Sequence, residues 1–446
     1  MLKCLGNKDE NNGRKVYLHR ECLLVKAIIF LIFLASAVIM MIHHGNLSSP
    51  APDEGMRYQL IEYLYTYGKL PHGGDPELQT AWGFSYAFLP YLSAIVSAIF
   101  MKITSLFTQD AHILLLSARS VSVLCGCIAV IYIFKIADKL FHTAYKWVFV
   151  SSIVFLPQLV YISSYLNNDI AGFMSITMIV YYWILGSEKN WNKEAVVGLS
   201  IGLSICILSY YNDYGFVLMS VVFYFADQIK KKTPKLKMFQ IAGCISLLCF
   251  CMAGWFFLYN AYLYDGDFLG LATMMEYKET YAIQSVQEQI TVQESGQSVW
   301  HMLWNQKWLL ITTRSFIAMF GSMDILVSRL VYMYYRMLFL VGVTLYGIHF
   351  IRAYKKKEQN KYLFEVSLLI GGMTAIFLSI YNSYTNDFQA QGRYIVAFLL
   401  PLVFFVTKGM ESFKLVASEK ISYCVAITIG CLNALILLYC CFAIFI

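Results

Sequence analysis

The stretch KAIIFLIFLASAVIMMIHHGNLSSPAPDEGMRY, residues 26–58, decides how the chain is read. Its first half, Lys26 to Ile42, is apolar and follows a basic tail. Its second half carries Pro52-Asp53-Glu54-Gly55-Met56-Arg57-Tyr58, two adjacent carboxylates and an arginine just beyond the apolar run. A basic start and an apolar core also describe a secretion signal. No small-x-small cleavage pattern follows, however, and many further apolar runs do. The run therefore reads as an uncleaved first membrane helix, with residues 1–25 as a cytoplasmic tail.

Working outward, the same composition continues. Of 446 residues, 59% are hydrophobic and 14% charged, and the mean hydropathy is +0.59. A soluble fold of this size could not hide so much apolar surface. Apolar runs recur at 112–136, 147–163, 170–186, 194–209, 215–228, 238–259, 328–351, 362–380, 394–407 and 421–446. The expectation is an all-α polytopic membrane protein with about eleven transmembrane helices. Cys4 and Cys22 lie in the tail and the other cysteines in apolar runs, so neither a disulfide framework nor a C-x-x-C metal pair is implied.

Orientation follows from the positive-inside rule. Placing every basic loop in the cytoplasm accounts for 24 of the 34 lysines and arginines. The net charge of +7 thus tracks topology, and no basic-aromatic stripe points to nucleic acid as a partner. The count closes only if residues 82–104, interrupted by Pro90, stay on the outer side as a juxtamembrane or re-entrant helix. Residues 26–446 then form one transmembrane domain in the plasma membrane, with a cytoplasmic N-terminus. Residues 43–111 are its first outer loop, with juxtamembrane helices, and 260–327 a long outer loop. Asp53-Glu54, Asn168-Asp169, Asn212-Asp213, Asn386-Asp387 and Arg393 all fall outside.

Each polar patch has a plain reading beside a chemical one. Asp53-Glu54 could cap and open a loop helix. Alternatively, Arg57, four residues on, could keep Asp53 ionised as a general base. Asn167-Asn168-Asp169 could cap the run at 170 or complete a site. Asn212-Asp213 reads as a tight hairpin, and Asp265-Gly266-Asp267 as a turn rather than a metal-nucleotide D-x-D pair. Arg314 and Arg393 could be interfacial anchors. They run against the positive-inside trend, though, and a guanidinium fork suits a lipid phosphate.

These residues resemble the GT-C superfamily of polyprenyl-phosphate-sugar glycosyltransferases. Asp53-Glu54-Gly55-Met56-Arg57-Tyr58 resembles the first outer loop of lipid-A aminoarabinose transferases and protein O-mannosyltransferases. Ser163 to Asp169 looks like their second outer loop. Asn167-Asn168-Asp169, Arg314-Ser315-Phe316 with Phe320-Gly321, and Gln391-Gly392-Arg393-Tyr394 are together similar to a group of bacterial GT-C-like membrane proteins. The resemblance implies an inverting transferase at the extracellular face. In it, Asp53 and Glu54 are catalytic, with Asp53 as the base. Arg57, Tyr58, Asn168, Asp169, Arg314, Gln391, Arg393 and Tyr394 bind substrate, with Arg314 and Arg393 on the lipid phosphate.

The implied partners are a lipid-linked sugar donor, a glycan, lipid or protein acceptor, and membrane lipid. No cofactor is expected. Asn-Asn-Asp departs from a D-x-D pair, which leaves a divalent metal open. The sequence shows no soluble domain after the last apolar run, so no separate acceptor-recognition domain is expected. A transporter or flippase of lipid-linked saccharides would instead show buried charges, for which Arg119 and Arg336 are the candidates, and an internal repeat. A polymerase or ligase using a pyrophosphate donor, and a non-catalytic scaffold, are further alternatives.

Overall fold

The computed structural model describes residues 12–355, 362–412 and 419–446. Parts of the expected tail (1–11) and of the basic loops at 352–361 and 408–420 (356–361 and 413–418) lie outside the described residues. The helices are α1 (Asn12–Ile42), α2 (Glu54–Tyr67), α3 (Leu92–Thr104), α4 (Ala111–Leu140), α5 (Lys146–Val154) and α6 (Pro157–Ile162). Next come α7 (Asp169–Glu188), α8 (Lys193–Ile207), α9 (Tyr214–Lys230), α10 (Lys235–Leu263), α11 (Leu271–Tyr281) and α12 (Gln284–Gln287). The chain closes with α13 (Trp308–Ile317), α14 (Arg329–Lys355), α15 (Leu363–Thr385), α16 (Leu399–Ser412) and α17 (Glu419–Cys440). Helix α1 begins inside the stretch expected as tail.

Among the described residues, eight helices are long and apolar enough to cross a membrane. The protein is a multi-pass membrane protein. Eight of the eleven expected spans meet that length and composition. The other three are shorter elements. The run 147–163 splits into α5 and α6, with Pro157 opening α6. Helices α8 and α9, of 15 and 17 residues, reach about 22 and 26 Å, short of the ~30 Å hydrocarbon core.

Residues 82–104 also resolve into parts. Tyr86–Phe88 makes one 3-10 turn, Pro90 precedes the helix, and α3 is only 13 residues, about 20 Å. That is shorter than the ~30 Å hydrocarbon core. Helix α3 lies against α2 and α4, joined by Ser97 Oγ donating to Ala118 O at 3.2 Å. Its start is fixed by Leu92 N–H donating to Leu208 O at 3.3 Å.

Packing forms one large core and a smaller one. The large core surrounds Phe33 of α1, Val130 of α4, Phe149 of α5, Trp183 of α7, Tyr335 of α14 and Phe404 of α16. The smaller one joins Leu60 and Ile61 of α2, Ala94 and Met101 of α3, Leu166 and Phe256. It lies at the Asp53 end of the bundle and turns the first loop into a packed layer. Among the described residues the one sheet is an antiparallel pair, Met319–Phe320 with Ile325–Leu326. Ser49 Oγ donates to Asp324 Oδ1 at 2.5 Å and accepts from Ser322 N–H at 2.8 Å, so this pair braces the strand of chain that leads to Asp53. The Asp265-Gly266-Asp267 turn opens α11, with Asp267 accepting from Gly270 and Thr273 N–H at 3.0 and 2.9 Å.

Candidate active site

The site is assembled where α1 gives way to α2. Asp53 occupies the N-cap position of α2, yet its side chain makes no cap hydrogen bond. Its backbone is left-handed, φ 60° and ψ 1°. Aspartate tolerates that region better than most residues, at a cost of about 1–3 kcal/mol. The turn aims the carboxylate across the bundle instead of along its own helix. There it forms an ion pair with the Arg393 guanidinium. The Asp53 side chain keeps 24% exposure, whereas that of Arg393 keeps 2%.

Arg393 is fully engaged. Nη2 donates to Asp53 and to the Tyr394 hydroxyl at 2.9 Å. Nε donates to Gln391 Oε1 at 2.6 Å, and Nη1 to Pro52 O at 3.3 Å. Behind it Asp169 Oδ2 lies 3.9 Å from Nη1. One guanidinium therefore stands between two carboxylates from distant parts of the chain. Gly392 makes this possible. A Cβ there would lie 2.0 Å from the Phe316 nitrogen, so only glycine lets the 392–398 turn seat on α13, where its N–H donates to Ser315 Oγ at 3.0 Å.

Charge in the site is set by these contacts. Burial pushes the Asp53 carboxyl up, but the nearby Arg393 and Arg57 outweigh it and the Tyr86 hydroxyl assists, so Asp53 is held below the ordinary carboxylate value. Burial likewise opposes the charge on Arg57, and Tyr86, Asp169 and Asp53 more than offset it. The Arg57 guanidinium lies 4.3 Å over the Tyr86 ring, and its buried Nε has no hydrogen-bond partner among the described residues. Arg57 and Tyr86 line a cavity of about 20 Å³ together with Tyr91, Ser93, Asn167 and Asn168.

The other sequence candidates divide. Glu54 is close by but committed. It takes two bonds from Arg119, Nε and Nη2 each at 2.8 Å, and a third from Leu166 N–H at 3.1 Å. Thus Arg119, a candidate buried charge, is neutralised and ties α4 to α2. Arg336, the other, donates to Thr313 Oγ1 at 3.2 Å on an exposed face. Asn168 accepts from Ser93 Oγ at 2.5 Å and donates to Pro90 O at 3.0 Å, fixing the start of α3. Asn168 is the N-cap of α7 without a side-chain cap bond, and Asn167 just before it supplies one instead, its Oδ1 accepting from Ile170 N–H at 3.0 Å. Tyr58 packs in the smaller core. Arg314 faces α14, 5.9 Å over the Tyr332 ring, and among the described residues pairs with no carboxylate.

The 210–213 turn has in sequence the character of a plain hairpin. It is a turn between α8 and α9, but it enters the site. Tyr210 lies 6.3 Å from the Tyr394 ring. Asp213 is buried, its Oδ2 has no hydrogen-bond partner among the described residues, and burial together with Asp169 pushes its carboxyl well up. The run Tyr210-Tyr211-Asn212-Asp213 inside an apolar stretch was the available signal. Among the described residues no group of three or more His, Cys, Asp or Glu side chains could hold a metal ion.

With this geometry in view, known proteins can be compared. A family model described as dolichyl-phosphate-mannose-protein mannosyltransferase matches residues 88–255, from the turn before α3 into α10. Among curated proteins none matches the sequence. The archaeal oligosaccharyltransferase AglB from Archaeoglobus fulgidus, solved with an inhibitory peptide and a dolichol-phosphate, superposes with a TM-score of 0.53 at 14% identity, over 94% of this chain and 55% of its own. The oligosaccharyltransferase of that organism solved with Zn and sulfate gives 0.52 at 15% identity, over 94% and 52%. ArnT from Cupriavidus metallidurans in the apo state gives 0.41 at 11% identity, over 87% and 78%, a likeness too loose to carry weight. The chain spans about half the length of the archaeal enzyme it matches. The chain thus shares its fold with these archaeal membrane oligosaccharyltransferases, and the mannosyltransferase family signature runs from the turn before α3 into α10.

Proposed function

We propose that the protein moves a sugar from a lipid-phosphate donor to an acceptor hydroxyl at the outer membrane face, with inversion at the anomeric carbon. One observation carries this reading. Asp53 is a partly exposed carboxylate, turned out by a left-handed backbone and kept ionised by a buried arginine. The name of the matching family and the dolichol-phosphate in the archaeal complex support a lipid-linked donor.

In the proposed step, the acceptor oxygen bonds to the anomeric carbon as the carbon–phosphate oxygen bond breaks. The acceptor proton passes to an Asp53 oxygen, and the electron pair leaves on the lipid phosphate. A base of low basicity suffices when proton transfer is late. The hydroxyl becomes acidic as it bonds to an oxocarbenium-like centre. Arg393 orients and ionises Asp53, a different role from the phosphate contact first expected of it, because all its donors are directed to protein groups. Arg57, with its unpartnered Nε, and Arg314, free of carboxylates, are the cations left to meet phosphate. Glu54, Tyr58, Asn168 and Asp169 hold the loops in place.

The test is transfer from a polyprenyl-phosphate sugar by protein reconstituted in liposomes. Asp53→Asn keeps the fold and loses about 10²–10⁴ in rate, the usual contribution of a positioned general base. Full transfer by this variant would overturn the assignment.

A further inference from the structure

Far from Asp53, a cavity of about 280 Å³ opens between α1, α5 and α17. It lies at the other end of α1. Its lining starts at Cys22 and reaches Ile32, whereas the Asp53 loop follows the end of that span at Gly45. From Cys22 to Ile32 the groove runs roughly 15 Å along the helix axis. That is half of the ~30 Å hydrocarbon thickness, the depth of one leaflet.

The walls are apolar, with Ile29, Phe155, Ala426, Gly430 and Ala434 among them. Ala426, Gly430 and Ala434 recur every fourth residue on one face of α17. Such a stripe usually draws a second helix into close contact in a membrane. Here it lines the cavity wall: a Cβ on Gly430 would meet Ser151 Oγ of α5 at 3.9 Å and nothing nearer, which leaves the space beside it to the cavity.

The mouth is basic. Lys26 and Lys146 share a single carboxylate, Asp138, the second at 3.8 Å. The neighbouring lysines Lys139 and Lys408 have their own partners in Glu188 and Glu411. Among the described residues one positive charge is therefore left over at the mouth, with His142 beside it and the Lys146 ammonium 4.8 Å over the Trp147 ring and 3.5 Å from Cys22 Sγ.

We propose that this groove holds an acyl chain of an anionic phospholipid, drawn from the leaflet opposite the Asp53 site, with its phosphate on Lys146. A bore of one-leaflet depth fits a single chain. The unbalanced lysine at headgroup level selects a negative headgroup over a zwitterionic one. The inference stands on this groove alone and is independent of the reaction proposed for Asp53.

The test is native mass spectrometry of the protein released from nanodiscs of equal phosphatidylglycerol and phosphatidylcholine. One phosphatidylglycerol per chain is expected to remain bound, favoured roughly fivefold, the scale of one lysine near an anionic surface. Gly430→Leu fills the bore and removes the bound lipid. Lys146→Gln keeps a lipid but loses the preference. Ala434→Leu serves in place of Gly430→Leu if that variant does not fold, as judged by its thermal midpoint. Equal binding of the two lipids, or retention unchanged by filling the bore, would overturn the proposal.

Discussion

Asp53 illustrates how one residue can be read two ways until its backbone is known. As an N-cap its carboxylate would accept from the first turn of α2. At φ 60° it turns away from that turn and meets Arg393, 340 positions along the chain. The pairing sets a pH dependence. A carboxylate held below its ordinary value of 3.8 stays ionised further into acid. The stability its ionised form contributes is present above 3.8 and lost as pH falls through the lower folded value. In Arg393→Gln, burial of Asp53 is no longer outweighed to the same extent. The acid limb of the transfer-rate profile is expected to move to higher pH, together with a drop in rate. A profile identical to that of the parent protein would show that Arg393 does not ionise the base.

At the scale of elements, the packed layer at the Asp53 end depends on polar links more than on long helices. Glu54 and Arg119 join the first turn of α2 to α4, both side chains 10% exposed. Removing one partner leaves a buried charge alone, so Glu54→Gln is expected to cost about 3–5 kcal/mol in thermal unfolding in detergent. The double variant Glu54→Gln/Arg119→Gln should recover part of that loss, because no charge remains uncompensated. A cost no greater than that of Glu288→Gln, an exposed site, would refute the structural role. This link was only half legible. An acidic residue next to Asp53 invited a catalytic reading, and Arg119 inside an apolar run invited a transport reading. Each lost its functional pull once the other was found beside it. The break at Pro90 was legible, since proline interrupts a helix locally. The seat of Gly392 on α13 was not, because it depends on how closely two remote backbones approach.

For the molecule as a whole, the arrangement of basic loops makes a directional claim. Gln287, exposed in the long loop after α11, and Lys189, exposed in the loop after α7, should lie on opposite sides of the membrane. In intact cells, Gln287→Cys is expected to react with an impermeant maleimide, and Lys189→Cys only after permeabilisation. Labelling of both in intact cells would refute the opposite-side placement, and labelling of Lys189→Cys alone would reverse the proposed orientation.

The amino-acid sequence by itself determined that this is a helical membrane protein, and it marked the break at Pro90 ahead of α3. These properties follow from local composition, helix length and proline, and need no knowledge of distant residues. It also singled out Asp53, Asp169 and Arg393 as charges at span ends. Only the tertiary structure decided that Asp53 and Asp169 share the Arg393 guanidinium, that Glu54 belongs to Arg119, that Arg314 lies over the Tyr332 ring of α14, and that the buried Asp213 comes within reach of the Asp169 charge. The reason is physical. An ion pair is fixed by distances of a few ångströms between side chains hundreds of positions apart. Those distances are set by how the helices pack, and no local pattern in the chain encodes them.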